Sequence, residues 1–311
     1  MRATIPFKGT GMGDGSGFDD SELATIRRAY ARQMLALAEV AANPALEAAF
    51  AAVPREAFLG PPPWFRVGIR GDYRPLPADP AVLYQDLVVA LTPQKGINNG
   101  SPSLHAAWLH RAGLKPGDRV AHIGCGSGYY TAVIAHLVGD AGRVLAVEFD
   151  PALAATAADN LARFANVAAI AGDGARWPDA AVDCVYVNFA ATRPADAWLA
   201  HLKPGGRLIF PLGVRRPQPS LGGGVQTLHA AGMRIERRAD GFAAEALGPV
   251  SFVCAEGALA EAAENDALRA AFAGGGIESV RSLLWNRPAV PGRSWFAGSG
   301  WSLGYDPPDR A

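Results

Sequence analysis

The chain has 311 residues, of which 50% are hydrophobic and 19% are charged, a balance typical of a folded globular protein. Its 29 Lys and Arg residues equal its 29 Asp and Glu residues, so the charge favours neither a nucleic-acid partner nor an acidic membrane surface. No apolar signal segment opens the chain and no run of about 18 apolar residues follows, so we expect a cytoplasmic protein.

The N-terminal part predicts a tail, two helices and an irregular connection. Residues 1–18 are rich in glycine and predict a flexible tail. Residues 19–42 open with helix-capping Asp and Ser and space apolar residues helically from Leu23 to Leu37, and residues 43–53 predict a second helix. The proline-rich and aromatic residues 54–77 predict an ordered connection. We assign residues 19–95 to this helical and irregular segment.

From Asp118 onwards, strand and helix patterns alternate. Strands are predicted at 119–124, 143–150, 166–174, 182–190 and 205–213, and helices at 129–139, 151–164 and 194–202. This alternation predicts an α/β fold with a doubly wound, Rossmann-like parallel sheet, which binds ligands at the carboxyl ends of its strands. Antiparallel strands at 225–239 and 248–257 and a helix at 258–273 would complete a domain over residues 96–273.

The C-terminal residues 274–311 form a further predicted segment. It carries Trp285, Trp295, Trp301 and Tyr305 among glycines and prolines, which favours a strap packed on the domain and leaves a lid or an oligomer contact as alternatives. The sequence does not indicate an oligomeric state. The three cysteines, Cys125, Cys184 and Cys254, lie far apart in apolar stretches, which predicts buried reduced thiols and no metal site.

A glycine-rich turn follows the first strand of the alternating part. Gly124, Gly126 and Gly128 let the backbone turn sharply and approach a ligand, but the third glycine comes one residue too early for a dinucleotide fingerprint. Glu148 ends the second strand 20 residues after Gly128, where a carboxylate can accept hydrogen bonds from two ribose hydroxyls. Asp173 follows the third strand, where it can face an adenine amino group. Together with the glycine turn, these two acids indicate a ligand that contains an adenine nucleoside, and the glycine spacing disfavours NAD.

This set resembles the class I S-adenosylmethionine-dependent methyltransferases. The segments VPREAFLG, YRPLP, LKPGDRVAHIGCGSGYYTAVIAHLVG, NVAAIAGDG and LKPGGRLIFPLG are similar to the protein-L-isoaspartate O-methyltransferase family, from about Asn43 to Gly213. The resemblance implies S-adenosylmethionine as cofactor and a carboxylate of a protein, peptide or small molecule as substrate. It implies donor-binding roles for Asn98, Asn99, Gly100, His105, Gly124, Gly126, Ser127, Gly128, Glu148, Phe149, Asp173, Gly174 and Asn188.

One loop departs from the family pattern. The family reads T-I-S-x-P-H-x-H-A where this chain has residues 98–106, so Pro102 and His105 match but Gly100 takes the place of the serine. The resemblance implies that residues 96–106 cover the donor, with His105 near its carboxylate. Ser101 is either a displaced catalytic hydroxyl or the cap of a helix that begins at Pro102.

The substrate side also differs, at VNFAATRP. Phe189 either narrows the substrate pocket or packs in the core, and Arg193 either meets an anionic substrate or begins a solvated helix.

Three hypotheses for the function remain open at this point. A carboxyl group with a pKa of about 4 is ionised at neutral pH and is already a nucleophile, so its methylation needs no general base. We therefore expect the loss of the serine to change which substrate is accepted more than the type of reaction. The chain is therefore a carboxyl methyltransferase for isoaspartyl or aspartyl residues, a methyltransferase for a small metabolite, or a non-catalytic donor-binding protein. Gly100 predicts poor methylation of isoaspartate, with methyl transfer retained on some other carboxylate or similar nucleophile.

Overall fold

The computed structural model describes residues 19–68, 71–217, 225–260 and 264–310. The predicted tail, residues 1–18, lies outside the described residues. The helices are α1 (Asp20–Leu37), α2 (Pro44–Ala52), α3 (Pro102–Ala112), α4 (Tyr129–Val138), α5 (Pro151–Leu161), α6 (Asp196–Ala200) and α7 (Asn265–Gly274). The strands are β1 (Phe65–Val67), β2 (Tyr73–Pro75), β3 (Ala90–Thr92), β4 (Ile97–Asn98), β5 (Arg119–Ile123), β6 (Arg143–Glu148), β7 (Val167–Ala171), β8 (Val182–Val187), β9 (Leu202–Arg215), β10 (Thr227–Arg238), β11 (Gly241–Pro249), β12 (Ser282–Trp285), β13 (Ser294–Ala297) and β14 (Trp301–Gly304).

A large mixed sheet forms the centre of the molecule. Within the described residues it has ten strands in the order β13-β14-β12-β11-β10-β9-β8-β5-β6-β7. The strands from β7 to β9 run parallel, and those from β9 to β13 are antiparallel to their neighbours. Ile123 at the end of β5 lies beside Val147 of β6 and Val187 of β8, so the carboxyl ends of these strands meet at one edge. The predicted Rossmann-like fold class is confirmed.

The core lies on both faces of this sheet, because alternate residues of each strand point to opposite sides. Val120 of β5 belongs to a cluster that includes buried residues of α1 to α5, such as Tyr30 and Phe50. Ala121 belongs to a second cluster, which includes Trp198 of α6 and residues of the C-terminal strands. The described residues include no helix with the length and hydropathy needed to span a membrane.

Local capping explains where the two N-terminal helices begin. Asp19 accepts hydrogen bonds from the backbone N–H groups of Ser21 and Glu22, and the Glu22 carboxylate accepts one in return from Asp19 N, which completes a capping box. Asn43 caps α2 through Leu46 N. Helix α1 packs on α2 and α3, and α2 packs on α4, so these helices hold the N-terminal part against the sheet.

The C-terminal part departs from the predicted elements. The strand predicted at 248–257 is wrong: β11 ends at Pro249 and pairs with β10, and residues 250–257 make only two isolated bridges, from Val253 to Gln226 and from Cys254 to Ala190. The β11 segment was missed because its alanines and glycines have low strand propensity, and pairing with β10 compensates. The helix predicted at 258–273 is shorter, because residues 257–260 form a 3-10 turn and α7 begins at Asn265.

Candidate active site

A cavity of about 640 Å³ opens at the carboxyl ends of β5, β6, β7 and β8. Its opposite wall is the segment from Val88 to His105, so strand ends and the N-terminal loop face each other. Thirteen of the sequence-predicted site residues line it: Asn98, Asn99, Gly100, Ser101, His105, Gly124, Gly126, Ser127, Glu148, Phe149, Asp173, Gly174 and Asn188. Gly128 is not among the lining residues, because it starts α4 and packs against Leu161.

The glycine turn forms the floor of the cavity. Gly124 and Gly126 have φ angles of +73° and +59°, which side-chain-bearing residues rarely adopt. A Cβ atom on Gly124 would lie 2.7 Å from Cδ1 of Phe189, so the backbone passes directly under that ring. Phe189 lines the cavity and also packs against the second core cluster, so the structure agrees with both interpretations of this residue.

Glu148 is joined to the same turn. Its Oε2 accepts a hydrogen bond from Gly126 N at 2.8 Å, and its Oε1 accepts one from Asp150 N at 3.1 Å. Burial raises the pKa of Glu148, and these backbone hydrogen bonds oppose the rise. Each carboxylate oxygen has further lone pairs, so the group can still accept hydrogen bonds from a ribose.

Asp173 has a partner that sequence reasoning missed. Its Oδ1 accepts a hydrogen bond from Ala175 N, and its Oδ2 accepts one from Ala258 N at 2.8 Å. The segment from Ser251 to Glu256 that leads to Ala258 lines the cavity beside it. Phe149, 42% exposed, lies at this rim, where a Cβ on Gly257 would be 2.8 Å from its ring. No sequence motif in residues 251–258 predicts the contact between Asp173 and Ala258, because the chain has to return across the edge of the sheet to make it.

The loop from Gly96 to Gly100 is a tight turn stabilised by Asn98. The Oδ1 atom of Asn98 accepts a hydrogen bond from Gly100 N at 3.0 Å, and its Nδ2 donates to Gly96 O at 3.3 Å. Gly100 has a φ angle of +71°, and a Cβ atom there would overlap Nε2 of His105. A side chain at this position would therefore strain the loop or displace the His105 ring.

His105 lies beneath this loop in an aromatic setting. It is buried, its Nδ1 shares a hydrogen bond of 2.7 Å with Tyr186 Oη, and its ring stacks on Tyr130 with centroids 3.7 Å apart. Burial, with smaller contributions from His122 and Arg55, lowers the pKa of His105 well below its ordinary value. His105 is therefore a neutral imidazole at physiological pH.

Ser101 acts as the cap of α3. Its Oγ accepts a hydrogen bond from Leu104 N at 3.4 Å and donates one to Asp86 Oδ1 at 2.9 Å. Ser103 also binds the Asp86 carboxylate, through Oγ and N. The Ser101 hydroxyl lies at the cavity but is engaged by the fold, which favours capping over the catalytic alternative.

Arg193 does not line the cavity, so the idea that it meets an anionic substrate there is corrected. Its guanidinium carbon lies 5.0 Å from the centroid of the Trp285 ring, and it pairs with Asp196 at 3.6 Å. The planar cation lies over the indole of Trp285 in the C-terminal segment.

The predicted site residue Asn188 contacts a buried histidine that sequence reasoning missed. Nδ2 of Asn188 lies 2.8 Å from Nε2 of His122, whose Nδ1 lies 2.7 Å from Thr131 Oγ1. Burial lowers the pKa of His122 to about 3, so the ring is neutral. Asn188 lines the cavity, and its Oδ1 is buried without a hydrogen-bond partner among the described residues.

The cysteines carry no reactive thiolate. Cys125 and Cys184 are buried, whereas Cys254 is only partly buried, which corrects the prediction for that residue. Burial raises the pKa of Cys125 well above its ordinary value and that of Cys254 to about 11, so both are thiols where they line the cavity. Across the described ranges, no group of three or more His, Cys, Asp or Glu side chains could hold a metal ion.

An ion pair joins the two sides of the cavity. Nζ of Lys95, in the turn between β3 and β4, lies 2.5 Å from Oδ2 of Asp150, the residue that caps α5. The hydrogen bond from Lys95 lowers the pKa of Asp150, and the same contact raises the pKa of Lys95. The pair therefore stays charged at neutral pH and connects the β3–β4 turn to the end of β6.

Comparison with known proteins shows which family the chain belongs to. The profile of the protein-L-isoaspartate(D-aspartate) O-methyltransferases matches residues 70–226, about half of the chain. A protein-L-isoaspartate O-methyltransferase of Ignicoccus hospitalis is 36% identical over 157 residues, which are 49% of this chain and 69% of that protein. The chain belongs to this family. It is therefore a methyltransferase.

Two further members of this family are also similar to the chain. A protein-L-isoaspartate O-methyltransferase of Methylorubrum extorquens is 38% identical over 49% of this chain and 62% of its own length. One of Anaeromyxobacter dehalogenans is 41% identical over 45% of this chain and 63% of its own length. The chain thus spans little more than 60% of each of these two relatives.

Two solved structures share the fold. A protein-L-isoaspartate O-methyltransferase aligns over 90% of this chain and 89% of its own with a TM-score of 0.59 at 20% identity. A Plasmodium falciparum structure, described as a protein-L-isoaspartate O-methyltransferase in complex with S-adenosyl-L-homocysteine, aligns over 74% of this chain and 98% of its own with a TM-score of 0.56 at 18% identity. The methyltransferase architecture thus extends beyond the matched segment.

Proposed function

We propose that the chain transfers the methyl group of S-adenosylmethionine to a carboxylate of a protein or peptide, as an O-methyltransferase of the protein-L-isoaspartate type. The observation that carries this proposal is that Gly126, Glu148, Asp173 and the loop of His105 line one cavity at the carboxyl ends of parallel strands. The family membership favours this activity over the metabolite and non-catalytic alternatives.

The residues present fit the methyl donor. The backbone at Gly124 and Gly126 leaves the floor of the cavity open, where a Cβ at Gly124 would meet Phe189. Glu148 is held by backbone N–H groups with lone pairs left for ribose hydroxyls, and Asp173 lies at the neighbouring strand end for the adenine. Asn188 Oδ1, a buried acceptor without a partner in the described residues, suits the donor's ammonium group.

When bound, S-adenosylmethionine supplies an electrophilic methyl group on a sulfonium sulfur. The protein then has to place the acceptor carboxylate in line with that bond and keep water out, and such positioning contributes about 7 to 11 kcal/mol to rate acceleration. A general base is not needed, because the carboxylate is ionised at neutral pH. A neutral His105 and protonated Cys125 and Cys254 are consistent with a site that positions reactants.

A methyl-transfer assay tests the proposal. Labelled S-adenosylmethionine is offered with an isoaspartyl peptide, the matching aspartyl peptide, or the small-molecule fraction of a cell extract. We expect label on a peptide, released by mild alkali because carboxyl methyl esters hydrolyse, and inhibition by S-adenosylhomocysteine. Alkali-stable label, label on small molecules alone, or no label with any acceptor would contradict the proposal. The cytoplasmic location stays a prediction.

A further inference from the structure

We propose that Asn99 is a carboxylate-binding residue of this site and that buried Arg55 is the positioning residue that fixes the orientation of its amide. The inference rests on the proposed function, since the ligand is the carboxylate of the methyl acceptor or of the donor's amino-acid end. Asn99 would then supply the hydrogen bond that the family pattern assigns to the serine absent at Gly100.

The orientation of the Asn99 amide follows from its hydrogen bonds. One of the two terminal atoms of the Asn99 amide accepts hydrogen bonds from two N–H donors, Val89 N at 2.9 Å and Arg55 Nη2 at 3.3 Å. An N–H donor needs an acceptor, so this atom is the carbonyl oxygen Oδ1 and the amide cannot be reversed. Nδ2 is thereby fixed on the other side of the amide.

That nitrogen lacks a partner. Asn99 is only 7% exposed and lines the cavity, and its Nδ2 is buried with no hydrogen-bond acceptor among the described residues. A buried unsatisfied amide is unfavourable by about 1 to 3 kcal/mol, and a ligand carboxylate that reaches it from the cavity would remove this cost. Gly100 beside it offers no side chain that could compete.

Arg55 supplies the charge. It is completely buried, and its guanidinium donates to the backbone oxygens of Leu83 at 2.6 Å, Gln85 at 3.2 Å and Leu87 at 2.6 Å, besides Asn99. Within the described ranges no carboxylate forms an ion pair with it. A buried cation without a counter-charge is costly, and a ligand carboxylate bound at Asn99 would lie next to it and offset that cost.

The test replaces the hydrogen-bond donor group of Asn99 with an acceptor. Asn99→Asp keeps an oxygen for Arg55 and Val89 and replaces only the N–H₂ group with a second oxygen, so we expect it to fold. Gln33→Glu is the matched control, because it adds the same charge on an exposed side chain of α1 that does not line the cavity. Asn99→Ala removes the donor without adding charge and serves as the second variant.

Three measurements identify the carboxylate. These are the KM for the acceptor peptide and the Kd values of S-adenosylhomocysteine and of 5′-methylthioadenosine, which lacks the amino-acid end. A rise of about tenfold to a hundredfold confined to the peptide KM identifies the acceptor's carboxylate. The same rise in the Kd of S-adenosylhomocysteine, with methylthioadenosine unchanged, identifies the donor's. Values for Asn99→Asp and Asn99→Ala that match wild type in all three measurements overturn the proposal.

The role of Arg55 is tested by a double-mutant cycle with Arg55→Lys, whose folding is checked by thermal unfolding. A lysine keeps the charge and loses the fork that holds the amide, so we expect the effect of Asn99→Ala to shrink severalfold in this background. An undiminished effect overturns positioning by Arg55. If no peptide is methylated at all, the proposed function fails, whereas the comparison of the two nucleosides still tests Asn99.

Discussion

At the scale of single residues, Glu148 lies in a setting that is unfavourable for a carboxylate. The carboxylate is 8% exposed and no described cation pairs with it, and burial raises its pKa. A residue held in such an unfavourable setting at the end of a central strand is typical of a ligand-binding group. Its two backbone hydrogen bonds keep it oriented toward the cavity in the absence of ligand.

We therefore expect Glu148→Gln to weaken binding of S-adenosylhomocysteine about tenfold to a hundredfold, because charged acceptors bind hydroxyls more strongly than amides do. Isothermal calorimetry measures this, with Glu245→Gln on β11 as a control of the same chemistry on an exposed carboxylate. Affinity equal to that of wild type would show that Glu148 does not contact the donor.

The pH dependence of stability gives an independent check on Glu148. Because its pKa in the folded protein lies above 4.5, the folded chain retains a proton there that the unfolded chain has already lost. The stability contributed by this group is present below 4.5 and is lost as the pH rises through the folded pKa. Chemical denaturation of the ligand-free proteins at several pH values should show Glu148→Gln gaining relative to wild type across this window. A pH-independent difference would contradict the raised pKa.

Gly100 gives a second prediction at this scale. Its positive φ and the proximity of His105 mean that Gly100→Ser strains the loop and displaces the imidazole, so we expect it to lower methylation of an isoaspartyl peptide. Gly113→Ala is the matched control, because Gly113 has a φ of +60° with nothing near its Cβ position. Both substitutions should cost about 1 to 2 kcal/mol of stability, but only the change at Gly100 should impair activity. A gain of activity in Gly100→Ser would mean that the loop relaxes to accept the hydroxyl.

At the scale of elements, the β3–β4 turn and the start of α5 form opposite edges of the cavity and are joined by Lys95 and Asp150. Lys95 is 46% exposed, so the pair contributes no more than about 1 kcal/mol after solvent screening. Because the Lys95–Asp150 pair lies at the mouth of the cavity, we expect it to affect the rate of ligand exchange more than the stability of the fold.

We expect Lys95→Met to speed dissociation of S-adenosylhomocysteine by up to about fivefold, because the two edges separate more easily without the pair. Stopped-flow displacement measures the rate, and raising the salt concentration should narrow the difference from wild type. Lys115→Met removes a charge from an exposed lysine before β5 and should leave the rate unchanged. Equal rates for wild type and Lys95→Met at low salt would exclude this role.

How far the site could be predicted from the sequence depends on how each element is placed. Gly126, Glu148 and Asp173 follow successive parallel strands, and the geometry of such sheets brings them together without further information. The contacts of Asn99 with Arg55 and of Asp173 with Ala258 join residues 44 and 85 positions apart, so they depend on tertiary packing. The 3-10 turn at Gly257 and strand β11 also depend on tertiary packing, so the local periodicity of the sequence does not predict them.

At the scale of the whole molecule, the C-terminal segment continues the central sheet. Strands β12, β14 and β13 add to β11, and Trp301 is buried with its Nε1 donating to Glu264 Oε2 at 2.8 Å. None of the described residues from 274 onwards lines the cavity. This arrangement favours a packing role over the lid that the sequence left open.

We therefore expect Trp301→Ala to lower the free energy of unfolding by about 3 to 5 kcal/mol, the usual cost of removing a fully buried tryptophan. Trp285→Ala should cost less, because that ring is only half-buried beneath Arg193. Urea denaturation gives both values, and calorimetry with S-adenosylhomocysteine on the folded variants should give wild-type Kd. The sheet is continuous from β13 to β7, so unfolding of the edge should be coupled to that of the centre in a single transition. A separate early transition in Trp301→Ala, or a weakened Kd at full folding, would show instead that the segment is an independent unit or closes over the donor.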